Sequence, residues 1–299
     1  MDRLHLMSVY VAVVEAEGFA GGARKLHMSP PAVTRAVAAL EERLGVKLLN
    51  RTTRYVRMTE AGQKYYEDAK AIIALADEAD DAVLGINAEP RGQLTVTASV
   101  LFGRLFIMPG IVEYLRRYPA VEVNALFVDR VVNMLEEGVD VAIRIAELPD
   151  SSYRALRVGS VRRVVCASPD YLAEHGIPQT PDDLTQHRII LARGLNPNNE
   201  IRFHRDGQAQ AVKVRPMLSV SDNDSAASAA IAGLGITRLL NYQIAEPLRT
   251  GKLKILLGEY ESPPVPVHIL HREGRHSSAK IRSFVDLMAE RLRGELALN

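Results

Sequence analysis

Cysteine is almost missing: Cys166 is the only one among 299 residues. That excludes a disulfide framework and a cysteine-based zinc site. A single thiol points to a reducing, cytosolic compartment. No apolar run approaches the ~20 residues that a membrane helix needs. A signal peptide is not expected either, because the apolar stretch from Leu6 to Val14 is broken by Ser8, has little positive charge ahead of it and lacks a cleavage-like end. A Walker-type phosphate loop and a Gly-x-Ser-x-Gly elbow are both absent. His268, His271 and His276 lie close together, but their spacing and the lack of carboxylate support make a poor metal set. No nucleophile, base or metal constellation converges, so neither an enzyme nor a cofactor is expected. Repeats and low-complexity tracts are also missing.

What is present is ordinary for a globular protein: 47% hydrophobic and 24% charged residues. The length suggests two or three domains. The formal charge of +1 conceals an asymmetry. Residues 1–58 carry nine Lys/Arg against five Asp/Glu, a balance of +4, and the remainder carries 28 against 31, a balance of −3. A basic head on a slightly acidic body suits a polyanion-binding module.

That head reads as short helices. Leu4, Met7, Val11 and Val14 recur at helical spacing, and Gly18 is expected to stop the helix. A two-turn helix fits Phe19–His27. Ser29 is a good N-cap ahead of Pro30 and Pro31, so a third helix starts near Pro30 and ends at Gly45. Two short helices joined by a tight turn form a helix-turn-helix, here about 19–38. Strands at Val46–Leu49 and Tyr55–Met58 would then make a basic wing. Thr59 caps a long helix over 59–88, whose seam of Ala61, Tyr65, Ala69, Ile72, Ala76, Ala79, Val83 and Ile86 suits pairing with a second copy. The alternative is a helix lying on its own domain.

Glu89–Gly92 reads as a linker. Beyond it strand and helix patterns alternate, with a strand at Leu94–Ala98, helix over 104–117, strand at Val121–Phe127, short helix at Val131–Glu137 and strand at Val139–Ile143. A similar series follows Val164, and the last helix is Ser277–Arg293. Such alternation implies an α/β domain over 91–299 with a largely parallel sheet.

The start of the third helix would enter a DNA major groove with Ser29, Pro30, Pro31, Thr34 and Arg35. Arg35 can pair with guanine, Thr34 can hydrogen-bond a base or touch a thymine methyl, and the prolines offer only shape and apolar contact. Arg51, Thr53 and Arg54 of the wing suit phosphate or the minor groove. In the α/β domain, ligands bind at the carboxyl ends of strands. That places an effector against Ser99, Val100, Leu101, Phe102, Arg144, Ser221 and Asn223, with Asp222 a competing helix cap. Hydroxyls, an amide and one arginine suit a small carboxylate.

The stretch Phe19–Arg54 (FAGGARKLHMSPPAVTRAVAALEERLGVKLLNRTTR), followed by MTEAG at 58–62, resembles the LysR-type transcriptional regulators. The resemblance extends to DVAIR at 140–144, VVCASP at 164–169, Tyr171-Leu172, His175-Gly176, PDDL at 181–184, GLGI at 233–236 and SFVD at 283–286. Pro30-Pro31 and the segment Thr237–Asn241 depart from the family's usual pattern. The resemblance implies a multidomain chain: a winged helix-turn-helix N-terminal domain at 1–58, a long linker helix at 59–88, and an α/β effector-binding domain of two Rossmann-like subdomains. The first subdomain would take about 91–163 and 269–299, the second about 164–268, with crossings near Arg163–Val165 and His268–Leu270. It implies a bacterial, nucleoid-associated homodimer or homotetramer on a palindromic double-stranded DNA operator, with a small-molecule effector and RNA polymerase as a candidate partner. A cytosolic solute-binding protein without a specific DNA target is the rival reading.

Overall fold

The computed structural model describes the chain apart from residue 1 and residues 52–55, 85–88, 149–152, 193–198, 206–207, 273–277, 296–297 and 299, and apart from the side chains of Arg51, Ala74, 77–84 and Arg272. It divides into two compact units, Met1–Ala88 and Glu89–Asn299.

In the first unit α1 (Arg3–Glu15) is capped by Asp2, whose carboxylate accepts from Leu4 N. It packs against α2 (Phe19–Lys25), α3 (Pro30–Leu44) and α4 (Glu60–Leu84) at once. Burial therefore runs around most of the helix, from Leu6 and Met7 through Val13. The expected single stripe does not hold, since Leu4 is exposed and Val14 only partly buried.

Gly18 does not stop α1. Glu17 takes the left-handed turn (φ 51°) while Gly18 is extended and precedes α2. Glu17 N donates to Val14 O and Gly18 N to Val13 O, which is the paired bonding of a Schellman end. His27 (φ 52°) does the same after α2, with His27 N on Arg24 O and Met28 N on Ala23 O. A side chain in this conformation costs about 1–2 kcal/mol. Glu17→Gly is therefore expected to stabilise the head by about 1 kcal/mol in thermal melts. A loss of stability would show that the turn is held by Glu17's side chain instead.

Ser29 stands at the N-cap of α3 without a side-chain cap bond, Pro30 occupies the first turn, and Gly45 (φ 70°) closes the helix. The hairpin has β1 at Leu49–Arg51 and β2 at Val56–Met58, paired antiparallel. β1 starts three residues later than expected because Glu41, on the buried face of α3, engages the chain just ahead of the ladder. Its Oε1 accepts from Leu48 N (3.0 Å) and Leu49 N (3.2 Å), and its Oε2 from Lys47 Nζ (2.7 Å). Thr59 caps α4 by accepting from Gly62 N. Gly62 is required there, since a Cβ would lie 2.0 Å from Leu48 O. Only part of the α4 seam points outward. Ala69 is buried and Tyr65 packs edge-on against Tyr10, whereas Ala61, Ile72 and the off-seam Leu75 are exposed. The side chains of Ala79 and Val83, and the whole of Ile86, lie outside the described residues.

The second unit holds two five-stranded sheets. The first-lobe sheet has the order β4-β3-β5-β14-β6 and uses β3 (Gly92–Ala98), β4 (Val121–Phe127), β5 (Val141–Ile145), β6 (Tyr153–Val161) and β14 (Val265–Arg272). α5 (Val100–Phe102) runs through a π turn at Gly103–Ile107 into α6 (Met108–Arg117). The second-lobe sheet has the order β11-β8-β12-β7-β13. It is built from β7 (Arg163–Ala167), α7 (Pro169–His175), β8 (Ile189–Ala192), β11 (Pro216–Val220), α8 (Asn223–Ile231), β12 (Ile236–Leu240), α9 (Ala245–Arg249) and β13 (Lys254–Leu256), with the antiparallel pair β9 (Glu200–Arg205) and β10 (Gln208–Lys213) at its side. α10 (Ala279–Arg293) returns to the first lobe and buries Phe284 and Met288 in its core. Ser277, the expected start of that helix, lies outside the described residues.

Three local expectations fail. Residues 131–133 are irregular and 134–138 are turns rather than a helix, because Asn133 Oδ1 accepts from Leu135 N and Glu136 N, and Gly138 turns left-handed (φ 61°). β5 begins at Val141, two residues late, because the Asp140 side chain accepts from Thr95 N in place of a ladder partner. The second crossing between lobes falls at 261–264 rather than at His268–Leu270, since all of Val265–Arg272 pairs within the first-lobe sheet. At the first crossing Arg162 N donates to Asn241 Oδ1, Asn241 N donates to Arg162 O (2.9 Å each), and the Arg162 guanidinium meets Glu261 at 3.3 Å. Asn241 thus ties the first crossing to the end of β12, and one half-exposed ion pair links the two crossings.

Candidate nucleic-acid interface and ligand cleft

α3 separates its faces cleanly. Val33, Ala36, Val37, Leu40 and Glu41 are buried, while Ser29, Pro30, Pro31 and Arg35 stand exposed on its first turns. The prolines carry no N–H, so they remove two of the helix's free donors and leave an apolar lip. Thr34 is half-buried and its hydroxyl donates to Pro30 O (2.9 Å), so only its lone pairs and methyl remain for a base. Arg35 is the charged group of this face nearest the helix start. Of the wing residues, the Arg51 backbone belongs to β1. The Arg51 side chain, Thr53 and Arg54 lie outside the described residues.

The head is braced by a carboxylate that sequence reasoning missed. Glu15 pairs with Lys25 of α2 (2.8 Å) and Lys70 of α4 (3.5 Å). Burial raises its carboxyl pKa, but the two lysines outweigh this and hold it below the ordinary range. Glu41 was missed in the same way. Its phase, four residues after Val37, was the readable signal.

In the second unit Ser99 stands at the N-cap of α5, and its Oγ is buried without a well-aligned partner, beside the Tyr242 hydroxyl. Val100 is exposed and its N–H donates to Asp129 Oδ1 (3.0 Å). Leu101 packs partly against the first-lobe core. Phe102 is fully buried within that core, so it offers the cleft no surface. Tyr242, on the turn after β12, reaches across from the second lobe to Phe102 (5.4 Å between centroids, edge-on) and Phe106 (5.7 Å). Burial pushes its hydroxyl up to about 12, with Ser99 and Gln243 opposing and Asp129 and Asp224 reinforcing. Charges from both lobes therefore converge on Tyr242.

Across the cleft Asp222 caps α8. It accepts from Ser225 N (2.8 Å), Ser225 Oγ (2.9 Å) and Ser221 Oγ (3.4 Å). Ser221 is engaged in this cap, whereas Asn223, at the first helical position, makes no such bond. Arg144 lies inside β5 opposite His268, half-buried, and donates weakly to Val132 O (3.4 Å). Burial lowers its pKa while Glu137 opposes the shift. Its described contacts are with the 130–137 segment, not with Ser99 or Tyr242. Among the described residues no group of three or more His, Cys, Asp or Glu could hold a metal ion, and no single helix is long and apolar enough to cross a membrane. His268 and His271 fall on opposite faces of β14, and His276 lies outside the described residues.

A helix-turn-helix head with a hairpin wing, followed by a long helix and a two-lobed α/β module, defines a ligand-responsive DNA-binding regulator. The "Bacterial regulatory helix-turn-helix protein, lysR family" domain matches residues 4–63, and the "LysR substrate binding domain" matches residues 87–293. The chain belongs to the LysR family and is a LysR-type transcriptional regulator. It is 32% identical over 293 residues to the HTH-type transcriptional regulator CrgA of Neisseria meningitidis serogroup B, covering 97% of each chain. The solved CrgA structure superposes with a TM-score of 0.61 at 31% identity over 99% of this chain and 100% of that one. An uncharacterised HTH-type regulator of Haemophilus influenzae is 32% identical over 283 residues, 94% of this chain and 98% of the relative. A full-length AphB variant superposes with a TM-score of 0.64 at 25% identity, over 98% of this chain and 99% of that one.

Proposed function

We propose that this regulator reads a palindromic double-stranded operator with Ser29, Pro30, Pro31, Thr34 and Arg35, and that Arg51, Thr53 and Arg54 of the wing hold phosphate or the minor groove. The carrying observation is the placement of Arg35, exposed on the face of α3 opposite its buried stripe. The exposed Ile72 and Leu75 of α4 support pairing of two copies through that helix, and a homotetramer built from two such dimers. In the cleft, Ser99, Val100, Leu101, Arg144 and Asn223 would receive a small carboxylate, with Tyr242 added and Phe102 and Ser221 only framing it. The protein acts in the bacterial cytoplasm, on the nucleoid, with RNA polymerase as its downstream partner and without catalysis of its own.

The test is binding of the full chain to DNA from immediately upstream of its own gene, against scrambled competitor at physiological salt. A competitor-resistant complex is expected. Arg35→Ala should cost about 1–3 kcal/mol on that site, chiefly at one base pair. An equal loss on all sequences would reduce Arg35 to a phosphate contact.

A further inference from the structure

The second lobe contains a cluster of arginines for which the cleft reading has no use. β12 and β7 pair antiparallel with Arg238 opposite Val165 and Leu240 opposite Arg163. Directly opposed residues share a face, so Arg163 and Arg238 are diagonal neighbours on one side of the sheet, within reach of long side chains. Val165 and Ile236 on that same side pack with Ile201 and Phe203 of β9. β9 also carries Arg202, whose carbonyl accepts from Ser262 Oγ. Arg238 thus has Arg163 beside it on the sheet face, and Arg202 on β9 is close enough to act on its charge.

Among the described residues no carboxylate is found acting on Arg238. Arg238 is half-buried and makes no hydrogen bond or ion pair among the described residues. The charges that act on it, Arg163 and Arg202, repel it, and together with burial they push its pKa down to about 10. The nearby carboxylate of Glu261 is already paired with Arg162. A partly desolvated guanidinium held beside like charges is costly, and an apolar side chain of similar volume would be cheaper. The geometry points to an anion site formed by Arg238, Arg163 and Arg202, separate from the cleft ligands, which takes a phosphoryl group. Three cations match a dianion better than a single carboxylate, and guanidinium forks match tetrahedral phosphate oxygens.

The experiment uses the full chain with inorganic phosphate, and a phosphate monoester in a parallel arm, against chloride at matched ionic strength. Phosphate should raise the melting temperature by about 3 °C. Arg238→Leu should abolish the rise and melt no lower than wild type in chloride, because the substitution removes self-repulsion. Arg163→Gln should weaken phosphate binding about tenfold, and Arg144→Ala should leave it unchanged. A stronger response to the monoester would mark a metabolite as the source, and an equal response free phosphate. An undiminished phosphate effect in Arg238→Leu, or its loss in Arg144→Ala, would overturn the proposal. Should Arg238→Leu fail to fold, unchanged phosphate affinity in both Arg163→Gln and Arg202→Gln overturns it equally.

Discussion

Tyr242→Ala is expected to destabilise the second unit by about 3–5 kcal/mol, the cost of emptying a buried aromatic site. In a unit of this size that lowers the melting temperature by roughly 10 °C. The reason is positional. Tyr242 belongs by sequence to the second lobe, yet its ring is buried in the first-lobe core beside Phe102 and Phe106. Removing it opens a void in one lobe and loosens the other. Tyr242→Phe keeps the ring and should cost under about 1 kcal/mol, since the hydroxyl's bond to Gln243 is long (3.5 Å). The hydroxyl is nevertheless held neutral well above its usual pKa. A raised tyrosine pKa stabilises the fold below about pH 10 and loses that contribution as pH climbs toward about 12. Tyr242→Phe should therefore flatten the alkaline fall in stability. Calorimetry of the full chain decides both points. A Tyr242→Ala loss below about 1 kcal/mol would mean that the lobes do not depend on this ring.

Glu41→Ala should cost the head about 3 kcal/mol, because it leaves Leu48 N and Leu49 N buried without an acceptor. Lys47→Ala should cost under about 1 kcal/mol, since Lys47 is largely exposed and its pair is a surface contact on that side. Burial raises the Glu41 pKa, but Lys47 and the two backbone N–H groups outweigh it and hold it below the ordinary value. A depressed carboxyl stabilises the fold above its unfolded pKa, about 4.3, and the contribution is lost as pH falls through the folded value. Acid unfolding of the head followed by circular dichroism should therefore shift toward milder pH in Lys47→Ala. An unchanged acid midpoint in both variants would show that the carboxylate does not hold the wing.

The head was largely legible because its signals are local. Ser29, Pro30 and Gly45 mark both ends of α3, and Thr59 marks the start of α4 through a bond only three residues long. The errors arose where one side chain replaced a backbone partner. Glu41 delays β1, Asp140 delays β5, and Asn133 undoes a helix whose apolar spacing looked adequate. The second crossing was readable in hindsight, since Val265, Val267 and Ile269 alternate without a break. The cleft was harder, because it depends on contacts far apart in the chain. The position of Phe102 after β3 points to the ligand side, yet Tyr242, 140 residues on, seals it into the core. Nothing near Tyr242 in sequence announces that.

The link between the two crossing strands through Arg162 and Glu261 has a thermodynamic consequence. Such a link favours motions in which both crossings bend together, which gives the lobes a shared coordinate of opening and closing. A carboxylate in the cleft and a phosphoryl group on the arginine cluster would both act on that coordinate. Whatever factor the first changes in the affinity of the second, the second must return to the first. Two metabolic signals would then be summed as free energies in one chain, before any DNA is involved.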